Sequence, residues 1–162
     1  MTANREHPQA VPAAAAGKHL PEHRLSLAEV VDALLHEQLL EPSDAQQIKQ
    51  NQRASGMAVH PLVWLADRHL ISPQGDKLDL EYLVEWLAGY AGLPYLKIDP
   101  LKIKADQVIR ELSQTYTSRH RILPILVDEH SVTFATCEPF ERAWESEMTH
   151  VLQRELRRMV AN

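Results

Sequence analysis

The feature that most constrains this fold is the stretch from Arg121 to Pro139, whose pattern is typical of a β-hairpin. Residues 122–127 are an apolar, β-branched run, a polar break covers 128–130, and apolar and polar side chains alternate over 131–136. The first strand is apolar on both faces, so we expect it to be covered on both sides. Pro124 cannot donate to a ladder, which predicts a bulge or an open side there.

A helical pattern and a short strand-like segment follow the hairpin. Pro139 stands at a predicted first helical position, and an apolar stripe with helical spacing continues to Leu152 with Trp144 on its inward side. Residues 156–160 are again strand-like. A hairpin, a helix and a strand in this order predict a small open sheet with a right-handed crossover.

Upstream of the hairpin, the sequence predicts two helical units that repeat each other. Ser26 and Glu29 have the spacing of a capping box, which should start the first helix. The motif Leu39-Leu40-Glu41-Pro42 recurs 31 residues later as Leu70-Ile71-Ser72-Pro73. We expect each unit to be a helix, an aliphatic pair and a proline-started helix, and the two units to pack as a four-helix group. Gly56 should end the second helix.

These patterns predict an α+β fold: a helical subdomain of two helix-pair units, then a small α/β sandwich with a three- to four-stranded mixed sheet. Residues 1–24 hold three of the ten prolines and little apolar surface, which predicts a disordered tail. The helical subdomain should cover 25–92 and the α/β subdomain 93–162, because a Gly-Leu-Pro segment interrupts the chain there. A further helix over 105–116 should lead into the hairpin.

Composition excludes several classes of function. The net charge of −5 over 162 residues argues against general nucleic-acid binding. No apolar run approaches the roughly 18 residues of a membrane span. One cysteine, Cys137, excludes an internal disulfide framework and the usual thiolate zinc sites. No glycine-rich loop with Lys-Ser/Thr is present to hold nucleotide phosphates. We therefore expect a non-enzymatic chain without metal or cofactor, in the cytoplasm.

Two parts of the chain together resemble the N-terminal domain of the ATPases that drive type II secretion and type IV pilus assembly. One part is the pair of helical units with their aliphatic pairs. The other combines Gly-Leu-Pro-Tyr at 92–95, Arg-Ile-Leu-Pro-Ile at 121–125 and a strand that ends in Ala-x-x-x-Pro at 135–139. These segments recur in this order in that family. The resemblance covers residues 25–162 and implies that a catalytic ATPase domain follows in a longer parent protein.

The resemblance implies a docking and regulatory domain without catalysis of its own. Such a domain ties the ATPase to a cytoplasmic segment of an inner-membrane platform protein and passes movement between them. The chain would then lie in the cytoplasm, peripheral to the bacterial inner membrane through its partners, without inserting into the membrane. The alternative is a sensor domain that binds cyclic di-GMP, as some members of the family do. A third hypothesis is a stand-alone adaptor.

The cyclic di-GMP members carry an Arg-Leu-Gly near each first helix, a glycine before the aliphatic pair and a glutamine ending the second helix. Here Gln38 and His69 precede the pairs, and neither unit has Arg-Leu-Gly. A side chain obstructs the close backbone approach that glycine allows, so we favour docking over nucleotide binding. The nucleotide-binding candidates that the resemblance implies are Leu34, Leu39, Leu40, Gln52, Leu65, Leu70 and Ile71.

Two interpretations of the aliphatic pairs stay open. They can close the four-helix core, or they can form a partly exposed apolar patch for a partner at the helix junctions. A basic residue on the exposed side of the predicted sheet is the next candidate for contact with a partner. The candidate partner-binding residues are Leu39, Leu40, Leu70, Ile71 and Arg157.

Overall fold

The computed structural model describes residues 21–52, 59–99 and 112–161. The predicted tail up to residue 20, the helix end at Gly56 and the part of the predicted helix before Leu112 lie outside the described residues. The elements in chain order are α1 (Leu27–His36), α2 (Pro42–Gln52), α3 (Pro61–Ala66), α4 (Leu80–Ala91), β1 (Tyr95–Leu96), α5 (Gln114–His120), β2 (Ile122–Val127), β3 (Ser131–Thr136), α6 (Ala143–Leu152) and β4 (Glu155–Ala161).

The fold is α+β, as the sequence predicted, with a four-stranded mixed sheet after the first four helices. The strand order is β1-β4-β3-β2, in which β2 and β3 form the predicted antiparallel hairpin. β4 pairs in parallel with β3 on one side and β1 on the other. The register of the hairpin shifts between Pro124 and Leu126, which confirms the bulge expected at the proline.

The prediction that β2 is covered on both faces is wrong. β2 is an edge strand, and the side chains of Leu123 and Leu126 are 37% and 54% exposed. β3 is the strand that is buried throughout, because β2 and β4 flank it and α6 packs on one of its faces. An apolar run predicts a strand, but it does not say where the strand stands in the sheet.

Helix α6 covers the sheet through the predicted inward stripe. Trp144 is 1% exposed, and its ring centroid lies 5.2 Å from that of Phe134 on β3. The helix begins at Ala143, so the start predicted at Pro139 is wrong. Its first backbone N–H groups are capped by the carboxylate of Glu22, more than a hundred residues away in sequence. No local pattern could reveal that cap.

In the first helical unit, α1 and α2 agree with the prediction. The side chain of Ser26 accepts a hydrogen bond from the backbone N–H of Glu29, as a capping box requires. The Glu29 carboxylate contacts the His23 ring at 2.9 Å, whereas the prediction had it reach back to Ser26. Ala45 and Ile48 of α2 are buried, as expected.

The second unit departs from the first after its aliphatic pair. Pro73 does not start a helix, because residues 72–76 form a turn in which Gly75 has a φ of +96°. Ile71 and Lys77 form a β-bridge across this turn, and α4 begins only at Leu80, with Asp79 as its N-cap. The turn determines the local backbone here, although Pro73 could have started a helix. The prediction of a proline-started helix at this place is therefore wrong.

The four helices of the first half share one hydrophobic core, in which Leu34 and Leu65 are fully buried. Phe140 and Val160 from the second half belong to the same core, so the helical half (residues 25–92) packs against the sheet half (residues 93–161). The division into two subdomains at residue 92 stays a prediction. Among the described helices, none is long and apolar enough to cross a membrane.

Candidate functional site

The two helix junctions share an unusual backbone conformation. Gln38 and His69, which precede the aliphatic pairs, have φ values of +59° and +50°. This left-handed region costs a residue with a side chain about 1–2 kcal/mol and costs glycine almost nothing. A glycine at either position would therefore relieve the backbone, in addition to letting a ligand approach closely. The left-handed conformation of Gln38 and His69 could not be predicted from the sequence, because neither residue type is typical of that region.

The first junction, residues 37–40, is bonded to the second unit, although Glu37 and Gln38 are exposed. The side chain of Gln74 donates to the carbonyl of Gln38 at 3.0 Å. The Trp86 indole donates to the Glu37 carboxylate at 2.8 Å. Leu40 is buried in the helical core, so the apolar part of this junction is committed to packing.

The second junction, residues 69–71, is open. Ile71 is 55% exposed, whereas its neighbour Leu70 is half-buried against the helical core. The backbone is held in place, because Leu78 N donates to Leu70 O at 2.9 Å beside the β-bridge of Ile71 and Lys77. A cavity of about 330 Å³ opens here, lined by Ala66, His69, Leu70, Ile71, Lys77 and Asp79. An exposed aliphatic side chain on a fixed backbone suits contact with a partner.

Two further exposed apolar side chains precede the second junction in the chain, in and just before α3. Val63 on this helix is 36% exposed, and Val59 just before it is 50% exposed. The guanidinium carbon of Arg68 lies 3.9 Å from the ring centroid of the half-buried Trp64, which is a cation–π geometry. Apolar and cationic groups thus lie along the same short segment of chain, residues 59–71.

The structure separates the residues that the sequence grouped. Leu34, Leu40 and Leu65 lie in the core, and Leu39 is half-buried against it. Gln52 ends α2, but its side chain lies outside the described part of the chain. Arg157 is exposed on β4, where its guanidinium pairs with Glu155 at 3.3 Å. Of the candidates that the structure describes, Leu70 and Ile71 come together at the open junction.

Sequence reasoning missed a buried charged cluster between the two halves. Its centre is Glu138, two residues after the end of β3. Glu138 is only 2% exposed. The carboxylate accepts from the backbone N–H of Leu25 at 2.9 Å and from the Arg121 guanidinium at 2.8 Å. His60 Nε2 lies 3.7 Å from the same carboxylate. A buried carboxylate needs such partners, but nothing in the Thr-Cys-Glu-Pro sequence signals that this glutamate is buried.

His60 links the cluster to the start of α3. Its Nδ1 accepts from the backbone N–H of Leu62 at 3.3 Å, and its Nε2 donates to the carbonyl of Cys137 at 3.1 Å. Both bonds require the neutral ring with its proton on Nε2. Burial lowers the pKa of His60, which favours this neutral form although Glu138 acts in the opposite direction.

A second carboxylate, Glu141, accepts hydrogen bonds from two side chains at the edge of the cluster. Arg24 Nε donates to it at 2.8 Å and His120 Nδ1 at 2.9 Å. Burial by itself raises the pKa of Glu141, but these two bonds outweigh burial, and the pKa lies below its ordinary value. Within the described segments, no group of three or more histidine, cysteine, aspartate and glutamate side chains has the arrangement of a metal site.

The MshEN domain family matches residues 91–162 of the chain. This part of the chain is similar to an MshEN domain. A relative, the type IV pilus assembly ATPase TfpB of Acinetobacter baylyi, is 34% identical over 91 residues, which are 55% of this chain and 16% of the relative. The family predicted from the sequence, the N-terminal domain of type II secretion and type IV pilus assembly ATPases, is thereby confirmed. The chain matches only a small part of the relative's length.

Two solved structures align with most of the chain. A structure of MshE with cyclic di-GMP is 20% identical, covers 85% of this chain and 91% of that chain, and has a TM-score of 0.55. At this identity the likeness shows that this chain shares the fold of that structure. A structure of the N-terminal domain of XpsE is 19% identical and covers 86% of this chain and 90% of that chain, with a TM-score of 0.41.

Proposed function

We propose that this MshEN chain is a non-catalytic docking and regulatory domain of a secretion or pilus ATPase. The observation that carries the proposal is the match of the chain to the MshEN family and to a type IV pilus assembly ATPase. In this proposal the domain holds the ATPase to a cytoplasmic segment of an inner-membrane platform protein. The chain then lies in the cytoplasm, peripheral to the inner membrane, and the catalytic ATPase domain of the parent performs the hydrolysis.

The second junction is the surface that we propose for docking. Fully burying an isoleucine side chain contributes about 1.5–3 kcal/mol, and Ile71 is 55% exposed. A partner that covers it therefore gains about 1 kcal/mol from this side chain alone. Val59 and Val63 offer further apolar area on the same segment. Leu39 and Leu40 of the first junction serve the fold in this proposal, because Leu40 is buried in the helical core and Leu39 packs against it.

Co-purification from membranes tests the proposal. The tagged parent protein carries Ile71→Glu or, as a matched control, Val151→Glu, which places the same charge on an equally exposed aliphatic position of α6. We expect the platform protein to co-purify with the wild type and with the control and to be lost with Ile71→Glu. Equal recovery of the platform protein with both variants contradicts docking at the second junction, and Arg157 on β4 is then the next residue to test.

A second candidate function, binding of cyclic di-GMP, is favoured by one observation. The left-handed backbone at Gln38 and His69 is a conformation that glycine adopts without cost, and the resemblance to the nucleotide-binding members implies glycine at these two positions. The fold is also shared with MshE, whose structure contains cyclic di-GMP. Two features oppose it: both positions carry side chains, and Gln74 and Trp86 form hydrogen bonds with residues of the first junction.

Calorimetry separates the two functions. We expect cyclic di-GMP to bind the wild-type chain no tighter than tens of micromolar, which corresponds to about 6 kcal/mol. The double variant Gln38→Gly/His69→Gly should bind more tightly if the side chains are what obstructs the site. Tight binding by the wild type makes the sensor function the leading one.

A further inference from the structure

Four consecutive residues that precede α1, Glu22 to Leu25, each contact the turn between β3 and α6. The innermost contact is buried: Leu25 N donates to Glu138 Oε2 at 2.9 Å, and both residues are at most 5% exposed. One residue further out, Arg24 pairs with Glu141 at 2.8 Å. Arg24 also donates to the carbonyl of Arg119 at 2.9 Å, at the end of α5.

The two outer residues continue the same line of contacts. The His23 ring stacks on Phe140 with centroids 5.1 Å apart and planes within 7°, and His23 N donates to Phe140 O at 3.3 Å. Glu22 accepts from the backbone N–H of Ala143 at 2.7 Å and from that of Arg142 at 3.3 Å. A carboxylate at this place caps α6 and complements the dipole of the helix.

We propose that residues 22–25 are a clasp that fixes the orientation of the helical half relative to the sheet half. The two halves also pack through α4 and β4, with Phe140 and Val160 in the helical core. One packed contact between two bodies still allows them to rock against each other. The clasp adds a further attachment at the turn of residues 138–143, beside the contacts of His60 with Cys137 and Glu138, and thereby restricts that motion.

The clasp has a strong end and a weak end. Glu138 is shielded from water, so its hydrogen bonds to Leu25 and Arg121 are not screened. Arg24, whose side chain is 55% exposed, forms an ion pair with Glu141 that solvent weakens. Glu138 is therefore the anchor of the clasp, and the contacts of residues 22–24 hold the segment down along the turn.

This inference rests on the proposed docking function and deepens it. The second junction belongs to the helical half, whereas β4 and the chain that follows it belong to the sheet half. A partner that pulls on Ile71 moves the sheet half only if the two halves turn together. The clasp supplies that rigidity, so its residues are positioning residues for force transmission and do not contact the partner.

Distance measurements between spin labels in the full chain test the clasp. Labels at Gln47→Cys on α2 and His150→Cys on α6 report the separation of the halves, since both positions are exposed. Cys137 is replaced by alanine so that these labels are the only ones. We expect the wild-type background to give one narrow distance distribution.

The decisive variant is Glu138→Gln, which keeps the shape of the side chain and removes its charge. Glu22→Gln/Arg24→Gln is a milder second variant that loosens only the outer contacts. Glu85→Gln, at an exposed position of α4, is the matched control. We expect the distribution to become at least about twofold broader in Glu138→Gln, to broaden less in the double variant, and to keep its wild-type width in the control.

A wild-type width in a folded Glu138→Gln chain, with an unchanged far-ultraviolet circular dichroism spectrum, overturns the proposal. If Glu138→Gln does not fold, the double variant decides: broadening supports the clasp, and a wild-type width refutes it. The measurement needs no partner. The clasp can therefore fail while docking at the second junction holds, and docking can fail while the clasp holds.

Discussion

Replacing Trp144 by alanine probes the packing of α6 on the sheet. The side chain is 1% exposed and packs with Phe134, Met148 and Leu152 in one core. Its ring centroid lies 5.2 Å from that of Phe134 at an interplanar angle of 59°, a favourable tilted geometry. Its Nε1 also donates to the carbonyl of Glu141 at 2.9 Å. Alanine removes both the apolar contacts and the hydrogen bond.

The expected loss follows from these two terms. Truncation of a buried aromatic residue to alanine lowers the free energy of unfolding by about 3–5 kcal/mol. The orphaned carbonyl of Glu141 adds about 1 kcal/mol, because its donor is gone. In a chain of this size each kcal/mol shifts the melting temperature by about 2–4 °C. Thermal unfolding followed by circular dichroism should therefore show a fall of roughly 10–15 °C.

Trp144→Phe is the matched control, because it keeps an aromatic ring and removes the indole N–H. We expect it to lose about 1–2 kcal/mol, from the hydrogen bond and the smaller ring. A fall of less than about 3 °C in Trp144→Ala would falsify the reasoning. Trp144 would then be exposed in solution and a candidate for contact with a partner.

Three further predictions concern the junctions, the buried histidine and catalysis. Gln38→Gly and His69→Gly should each raise the free energy of unfolding by about 0.5 kcal/mol, because relief of the left-handed backbone exceeds the entropy that glycine loses on folding. Chemical denaturation measures this change, and a loss of stability in either variant contradicts the prediction. Burial lowers the pKa of His60 below 6.5, so its contribution to stability is present above that pH and is lost as the pH falls through the folded pKa. The melting temperature of the wild type should thus fall more steeply between about pH 7.5 and about pH 5.5 than that of His60→Gln, and parallel profiles contradict this. The purified chain should not hydrolyse ATP, and steady phosphate release above a mock preparation contradicts this.

Local patterns were sufficient for much of this fold. The alternation over residues 131–136 predicted β3, and the missing N–H of Pro124 predicted the bulge in β2. The capping-box spacing of Ser26 and Glu29 predicted the start of α1, where the Ser26 side chain accepts from the backbone N–H of Glu29. These elements are encoded by neighbouring residues, so a single sequence reveals them.

Long-range contacts were beyond the reach of such patterns. Glu138 looks like a turn residue in the sequence, and only the arrival of Leu25 and Arg121 makes its burial possible. The start of α6 depends on the carboxylate of Glu22, which comes from the other end of the chain. The left-handed backbone at Gln38 follows from the packing of the helical units, because no glycine marks it.

The candidate site was predicted in part. The sequence named both aliphatic pairs and left open whether they close the core or meet a partner. In the structure the answer differs between the pairs: Leu40 is buried, whereas Ile71 is 55% exposed. The sequence repeat could not reveal this difference, because the second unit has a turn at Gly75 where the first unit starts a helix.

The most direct test of docking is a calorimetric titration of the purified chain with the cytoplasmic segment of the inner-membrane platform protein. We expect saturable binding by the wild type and by Val151→Glu. Ile71→Glu should bind at least about tenfold more weakly, which is about 1.4 kcal/mol. All three chains must first show the same melting curve. Absence of binding by the folded wild-type chain, or equal affinity for all three chains, would contradict the claim that the second junction docks the ATPase to its membrane partner.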